Sequence, residues 1–181
     1  MISYRKRQRR LFTVRYHIKE KVLSLHGVYN IYDEQGNECY YIKQKPISIT
    51  NETHLYNMKD EEVALIRRKI MSMHAVHYVE MKNGEQAEIS EKKYLQIHDN
   101  FVIEGFGWHV DGDIWGHEFS VKDSSEQLIA EAQEKWFSVG DLFTVDILDE
   151  RNAEKVIAVL ITLSLIHRDR TNAMTASSTV N

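Results

Sequence analysis

The chain has 181 residues, of which 43% are hydrophobic and 28% are charged, and its formal net charge at pH 7 is -4. This length suits one globular domain with a substantial core, and the composition is that of an ordinary water-soluble protein. The single cysteine, Cys39, excludes an internal disulfide and a cysteine cluster for zinc or iron and sulfur, which fits a reducing cytoplasm.

The first ten residues form a basic head, in which five residues are positively charged, so the rest of the chain carries about -9. No apolar stretch of signal-peptide length follows, since charges resume after Leu11 to Val14. We expect a flexible segment that is either simply solvated or binds the phosphates of an anionic lipid. Nucleic acid is not expected as its partner, because the acidic remainder repels a nucleic-acid backbone. The basic head consists of Arg5, Lys6, Arg7, Arg9 and Arg10.

A repeat with a period of 24 residues is the strongest pattern in the chain. Lys21, Lys45, Lys69 and Lys93 are evenly spaced, and the first three open the phrase Lys-x-x-Ser. A near-copy begins at Lys135 after a longer interval. Such internal repetition is typical of an architecture in which one small structural unit recurs.

Each period contains two apolar runs that are separated by a polar turn. In the first period the runs are Val28 to Tyr32 and a segment ending near Ile42, and Glu34 to Asn37 forms the turn. The pair Asn83-Gly84, in a later period, is favoured in tight hairpins. Two strands of about eight residues and two turns of about four fill one period and predict an antiparallel meander.

The pattern changes near the C-terminus, where Asn152 to Ile166 predicts a helix. The acidic residues Asp149 and Glu150 precede it, which favours a helix N-terminus. From Val156 to Ile166 the segment is apolar on every face, as is typical of a helix in a protein interior. It spans only about 17 Å, which is too short for a bilayer, so we predict no transmembrane span.

The strands and the helix together predict the fold class. About ten to twelve antiparallel strands in one sheet must curl or close, and a closed barrel of that size has a lumen too wide for its own side chains. We therefore predict a mainly β fold, a closed antiparallel barrel of about twelve strands around a central hydrophobic C-terminal helix. The predicted organisation is a flexible basic head at 1–10, one barrel domain at 11–168 and a flexible polar tail at 169–181.

Several motifs in this order resemble the LURP-one-related proteins, and the resemblance covers residues 14–168. Its most specific part is Lys135-Trp-Phe-Ser-Val-Gly-Asp141, which is followed by Val145-Asp146-Ile147 and the apolar helix. Upstream, the chain has Tyr16-His-Ile-Lys-Glu-Lys21-Val-Leu-Ser-Leu, then Tyr29-Asn-Ile-Tyr-Asp33 and Gly36-Asn-Glu. The short length resembles the bacterial branch of that family.

The resemblance implies a twelve-stranded barrel around a central helix, as in the superfamily that includes tubby C-terminal domains and phospholipid scramblases. Tubby domains bind phosphoinositide headgroups through basic side chains, whereas the LURP-one-related branch has no generally established ligand. No tubby headgroup motif matches this sequence residue by residue.

The richest polar cluster, Trp108 to Glu118, contains His109, Asp111, Asp113 and His117. Histidine and aspartate are ordinary ligands of zinc, so the cluster defines a remote alternative, a metal-dependent enzyme. We instead expect Asp111 to Asp113 to form a hairpin turn and predict no metal and no cofactor. Glycine-rich phosphate loops and nucleophile elbows are missing from the sequence, which predicts no catalytic residues.

Basic residues recur at the boundaries between repeats, at the same phase of the period. In a meander they approach one another, and with the basic head they form a candidate surface for anionic lipid. Nearby glutamates can neutralise this surface, and solvated strand ends are the alternative interpretation. These boundary residues are Lys43, Lys45, Arg67, Arg68, Lys69, Lys92 and Lys93.

The functional hypothesis is a non-enzymatic, cytoplasmic barrel that binds anionic phospholipid headgroups or a membrane surface peripherally. The alternative is a protein–protein interaction scaffold without a small-molecule ligand, which the many repeats favour.

Overall fold

The structure is a computed structural model, and it describes residues 14–20, 29–44, 52–69, 76–92, 100–114, 118–133 and 141–178. Twelve antiparallel strands form a closed barrel in sequence order, in which β1 also pairs with β12. This architecture confirms the predicted closed barrel with one C-terminal helix. The strands are β1 (Val14–Glu20), β2 (Tyr29–Asp33), β3 (Glu38–Gln44), β4 (Thr53–Asn57), β5 (Glu62–Arg68), β6 (Val76–Met81), β7 (Gln86–Lys92), β8 (Asn100–Glu104), β9 (Trp108–Asp113), β10 (Glu118–Asp123), β11 (Leu128–Gln133) and β12 (Asp141–Ile147).

Side chains alternate between the lumen and the outer wall along each strand. On β1, Tyr16 and Ile18 are buried in the lumen, while Arg15, His17 and Lys19 lie on the outer wall and remain partly exposed. Every strand contributes apolar side chains to one continuous core. One such residue from each strand, in order, is Ile18, Ile31, Ile42, Leu55, Ile66, Val79, Ile89, Phe101, Val110, Val121, Ala130 and Val145.

The 24-residue period corresponds to one pair of strands, as predicted. β3, β5 and β7 begin at Glu38, Glu62 and Gln86, one period apart. The strands have five to seven residues in this part of the barrel, so they are shorter than the predicted eight. The reason is that one of the two connections in each period is longer than the predicted four residues. Such a connection, for example residues 45–51, carries the repeated Lys-x-x-Ser phrase and lies outside the described residues.

The tight turns after β2, β4, β6 and β10 share one hydrogen-bonding scheme. In each, the side-chain oxygen of an Asp or Asn accepts a backbone N–H two residues later, from residues Asp33, Asn57, Asn83 and Asp123. Asp and Asn favour turns because their side chains can bond their own backbone in this way. These four turns lie at one end of the barrel, which we call the turn end.

The part of the chain that the structure describes contains one α-helix, α1 (Ala153–Ser178), which begins at the turn end and runs through the lumen. Asp149 accepts the backbone N–H of Arg151 and caps the short 3₁₀ turn that precedes it. Because strands surround α1, its residues from Val156 to Ile166 are buried on nearly every face, which explains why the sequence there is apolar all round.

The helix is longer than the predicted Asn152 to Ile166, since it continues to Ser178. Residues 169–178, which we predicted to be part of a polar tail, are therefore helical. This extension contains no glycine or proline and includes the good helix formers Ala173 and Ala176, so nothing in its composition ends the helix.

Ion pairs fasten α1 to the barrel at both ends. At the turn end, Lys155 lies 3.0 Å from Glu85 in the turn after β6. At the opposite end, which we call the exit end, Asp169 lies 3.0 Å from Arg68 of β5, and Arg170 pairs with Glu91 of β7.

Within the described residues, no helix combines the length and the apolar character that crossing a bilayer requires.

Candidate functional site

The structure describes the side chains of only some of the predicted basic residues. Lys43, Arg67, Arg68 and Lys69 are described in full, and Lys92 is described as the last residue of β7. The remaining predicted residues lie outside the described residues: Arg5, Lys6, Arg7, Arg9, Arg10, Lys45 and Lys93.

The described boundary residues do not all lie at one end of the barrel. Arg67 and Lys69 lie at the exit end, where β5 finishes. Lys43 lies near the end of β3, but its Nζ reaches back to within 3.8 Å of Asp60 in the turn after β4. The basic head lies outside the described residues, so its place in one surface with the boundary residues stays a prediction.

Alternation along β5 also separates consecutive basic residues. Arg67 lies on the outer wall and pairs with Glu80 of β6. Arg68 points to the opposite side and pairs with Asp169 of α1 at 3.0 Å. Adjacent residues of a strand face opposite sides of the sheet, so Arg67 and Arg68 cannot serve one surface.

Lys43 of β3 lies over two stacked tyrosine rings on the outer wall. Its Nζ is 5.1 Å from the ring centre of Tyr41 and 4.9 Å from that of Tyr56, and the two rings are 5.5 Å apart. A carboxylate oxygen of Asp60 lies 3.8 Å from the same Nζ and accepts a hydrogen bond from the Tyr41 hydroxyl. The hydrogen bond between Lys43 and Tyr41 raises the pKa of Lys43, so this cation is held in place by its neighbours.

Lys69 has a comparable aromatic partner. Its Nζ lies 5.6 Å from the ring centre of Tyr78, and their hydrogen bond raises the pKa of Lys69. All four fully described boundary cations thus interact with a carboxylate or a tyrosine. Their anion-binding role stays a prediction.

The cluster on β9 is arranged differently from our expectation. The prediction of a turn at Asp111 to Asp113 is wrong, because β9 continues through Asp113 and Gly112 pairs with Phe119 of β10. A Cβ at Gly112 would lie 2.6 Å from the carbonyl oxygen of Glu118. The glycine therefore permits two strands to approach each other closely. In the sequence, a glycine with this role cannot be distinguished from a glycine in a turn.

Described side chains of this cluster contact charged partners on the outer wall. His109 lies 3.3 Å from Glu126, and Lys122 lies 2.7 Å from Asp111. His117 lies outside the described residues. Among the residues that the structure describes, no three side chains of the metal-ligating types are grouped to hold an ion.

A groove of about 640 Å³ on the outer wall of β1 and β2 is a concave site that the sequence analysis did not identify. The outer row of β1, which we define as Arg15, His17 and Lys19, forms one side of the groove. Tyr32, Asp33 and the turn that follows form the other side. The groove is lined by Arg15, His17, Lys19, Tyr32, Asp33, Glu34 and Gly36.

The neighbouring strand β12 holds two members of this row in place. Asp146 accepts hydrogen bonds from Nε and Nη2 of Arg15, at 2.5 and 2.7 Å, and raises the pKa of Arg15. Nδ1 of His17 lies 3.0 Å from the Oγ1 of Thr144, a buried residue. On the other side, the Nζ of Lys19 lies 5.7 Å from the ring centre of Tyr32. Three strands thus position the basic side chains of the groove.

The sequence does carry a signal for this row. Val14 to Glu20 alternates apolar with basic or polar residues, and period-two alternation predicts that Arg15, His17 and Lys19 share one face of a strand.

A second concave region of about 480 Å³ lies beside β8 and β9. Its polar members are Glu104, His109, Ser124 and Glu126, and Trp108 contributes to its wall. The carboxylate of Glu126 already lies 3.3 Å from His109, so two of the polar groups of this pocket contact each other.

A buried histidine lies in the lumen near the exit end. His77 of β6 is 2% exposed, and its Nδ1 has no hydrogen-bond partner in the described structure. Burial lowers the pKa of His77 to about 4, and the nearby positive charge of Arg68 contributes to the decrease. At neutral pH His77 is therefore an uncharged member of the core.

Comparison with known proteins places these features in context. A family model described as LURP-one-related matches residues 14–164. The uncharacterized protein YxjI of Bacillus subtilis (strain 168) is 35% identical over 66 residues, which cover 36% of this chain and 40% of the Bacillus protein. An X-ray structure of an Arabidopsis thaliana protein superposes with a TM-score of 0.60 at 14% identity, covering 85% of this chain and 93% of that one. At this identity the superposition shows a shared fold alone.

Proposed function

Because the chain belongs to the LURP-one-related family, we propose that it is a non-enzymatic barrel that binds anionic phospholipid headgroups at a membrane surface. We place it in the cytoplasm, where its attachment to the membrane is peripheral.

The feature that supports this function best is the basic head, which has five cations within the first ten residues of the sequence. In the sequence this head comes shortly before β1, whose outer row begins with Arg15. Clusters of lysines and arginines are attracted to anionic lipid surfaces.

The environment of Cys39 supports the non-enzymatic part of this proposal. Desolvation by burial raises the pKa of its thiol, and its Sγ donates to the carbonyl of Asn37 at 3.5 Å. A raised pKa disfavours the thiolate, which is the nucleophilic form of cysteine.

Flotation of the full chain with vesicles tests the function. We expect recovery with vesicles that contain phosphatidylserine at low salt, loss of this recovery at high salt, and no recovery with phosphatidylcholine alone. Each cation near the surface contributes about 1 kcal/mol, so changing all five cations of the basic head to Gln should lower the partition coefficient by about three orders of magnitude.

The control neutralises two cations elsewhere on the surface, Lys122→Gln with Arg151→Gln. Both are engaged in ion pairs outside the groove, so this variant should float like the unmodified protein. Equal recovery with neutral and anionic vesicles at low salt would contradict the proposal.

The half-buried aromatic pair on β3 and β4 favours a second candidate function, a protein interaction scaffold. Tyr41 and Tyr56 stack beneath Lys43, and the neighbouring Met58 is 54% exposed. Tyrosine and methionine are enriched where proteins bind one another. A partner captured from native lysate by the unmodified chain, but lost on Tyr41→Ser with Tyr56→Ser, would support this function. Capture of background proteins alone would count against it.

A further inference from the structure

The concave region beside β8 and β9, which we call the β9 groove, combines carboxylates with an apolar surface. We infer that the β9 groove binds an organic cation, an ammonium group on a methylene chain, which a small polyamine or the lysine side chain of a partner protein can supply. This cation is chemically opposite to the anionic lipid of the proposed function, so neither binding event requires the other. The site consists of Val102, Glu104, Trp108, His109, Ser124 and Glu126.

Two carboxylates lie on opposite sides of the β9 groove. Glu104 ends β8, and Glu126 lies in the tight turn that follows β10. Strand β9 pairs with both of these strands and lies between them, so the two sides are two strand spacings, or roughly 10 Å, apart. Within the described residues they do not converge with a third ligand of the kind that a metal ion requires. A cation with a long body therefore suits this spacing better than a compact metal ion.

Glu104 is an exposed carboxylate without a counter-ion. Its side chain has no hydrogen bond or ion pair with any described residue. Glu88 of β7 lies directly opposite Glu104 in the sheet, and like charges in opposite positions destabilise a pair of strands. Lys69 lies near Glu88, but its hydrogen-bond partner is Tyr78. A cation bound beside Glu104 offsets the repulsion between the two carboxylates, so the sheet itself contributes to the attraction.

Lys122 of β10 is a neighbouring cation, but it is bonded to another carboxylate. Its Nζ lies 2.7 Å from Asp111 and 3.8 Å from Glu126, and the hydrogen bond to Asp111 raises the pKa of Lys122. Nε2 of His109 lies 3.3 Å from the other carboxylate oxygen of Glu126. The carboxylates of Asp111 and Glu126, with Glu104, carry three negative charges against the one positive charge of this lysine. The site stays negative even when His109 is protonated, so it favours a cation over an anion.

The apolar surface of the β9 groove suits the methylene part of the ligand. Val102, a half-buried residue of β8, and Trp108 of β9 contribute to its wall. Lys155, whose Nζ lies 5.6 Å from the ring centre of Trp108, is paired with Glu85 at 3.0 Å and adds no net charge. The exposed hydroxyl of Ser124 can accept a hydrogen bond from an ammonium group. The volume of about 480 Å³ exceeds what an ammonium group alone fills, so methylene groups can leave water for the wall and add to the affinity.

Calorimetric titration of the full-length protein with spermidine tests the site, in about 0.15 M salt, where the Debye length is about 8 Å. We expect spermidine to bind, and we expect Glu104→Gln with Glu126→Gln to lower the affinity by about tenfold or more, because two charged hydrogen-bond acceptors are lost. Glu104→Gln alone is the second variant. It should lower the affinity by about three- to tenfold and leaves the contact between Glu126 and His109 in place.

Glu34→Gln with Glu118→Gln is the matched control, since it removes the same charge from two exposed residues outside the β9 groove. It should leave the affinity for spermidine within about twofold of the unmodified value. Undetectable binding of spermidine by the unmodified protein would overturn the inference, as would an unchanged affinity in both groove variants. Pentylamine should bind more tightly than methylamine, because its longer chain contacts the apolar wall, and equal affinities would contradict the assignment of a methylene chain.

A peptide arm distinguishes the two sources of the cation. If the source is a protein, a peptide that carries one lysine between apolar residues should displace spermidine, and the double groove variant should bind this peptide more weakly. If spermidine binds and the peptide does not displace it, the source is a free polyamine. If neither binds, the β9 groove is not a cation site, whereas the proposed membrane function is unaffected by that result.

Discussion

The buried histidine in the barrel lumen makes the stability of the fold depend on pH. His77 is 2% exposed, and burial lowers its pKa from 6.5 to about 4, with a further contribution from the charge of Arg68. Between these two pKa values, the side chain of His77 is protonated in the unfolded chain and neutral in the folded chain. The free energy of unfolding therefore falls as the pH drops through this interval and rises again as the pH increases.

The magnitude follows from the difference between the two pKa values. About 2.5 pH units at about 1.4 kcal/mol each correspond to roughly 3 kcal/mol of stability lost by pH 4. Replacement of His77 by leucine, which has a similar volume, removes this contribution. It also removes a buried Nδ1 that has no partner in the described structure, so we expect His77→Leu to be more stable by about 1 kcal/mol even at pH 7.

Urea unfolding followed by tryptophan fluorescence at several pH values measures both effects. The unmodified protein should lose about 3 kcal/mol more than His77→Leu between pH 7 and pH 4. His109→Gln is the control, because His109 is partly exposed on the outer wall and should retain the steep dependence. Parallel pH profiles for the unmodified protein and His77→Leu would refute the reasoning.

Three further substitutions test the packing of the barrel by urea unfolding. Gly112→Ala should cost about 2–3 kcal/mol, because the new Cβ would lie 2.6 Å from a carbonyl oxygen of β10. Gly36→Ala is the control and should cost only about 1 kcal/mol, because its Cβ would have nothing within 4 Å. Equal losses of stability would argue against the close approach of the two strands at Gly112. Leu160→Ala should cost about 3–4 kcal/mol because the side chain is fully buried, and a loss under about 1 kcal/mol would mean that the helix is not enclosed. Glu91→Gln should cost about 1–2 kcal/mol by weakening the bond to Arg170, and an unchanged free energy of unfolding would mean that this pair does not stabilise the helix.

The fold could be predicted because its signals are local. The spacing from Lys21 to Lys93 reports the length of a strand pair, and the apolar faces of Val156 to Ile166 report enclosure by other elements. The length of the helix could not be predicted in the same way. Ion pairs of Asp169 and Arg170 with distant strands hold its second half, and such partners are not adjacent in sequence.

The candidate site was harder to predict because it depends on side-chain direction and on strand neighbours. Arg67 and Arg68 are adjacent in sequence but face opposite sides of the wall, so their phase in the repeat did not indicate a shared surface. Arg15 and His17 are oriented by residues of β12, more than a hundred positions away. The alternation on β1 predicts that Arg15 and His17 share a face. The groove beside them forms only when β1 pairs with β2 and β12 in the closed barrel, and the sequence alone does not show these pairings.

The pairing of β1 with β12 has a consequence for how a cell makes this protein. Arg15 and Asp146 are 131 positions apart, and a ribosome adds about 5–20 residues per second, so the first strand waits roughly 7 to 26 seconds for its last neighbour to be synthesised. The helix that fills the lumen is translated later still. Until then the nascent sheet exposes an apolar trough and two open edges, which are the surfaces that holdase chaperones shield from aggregation.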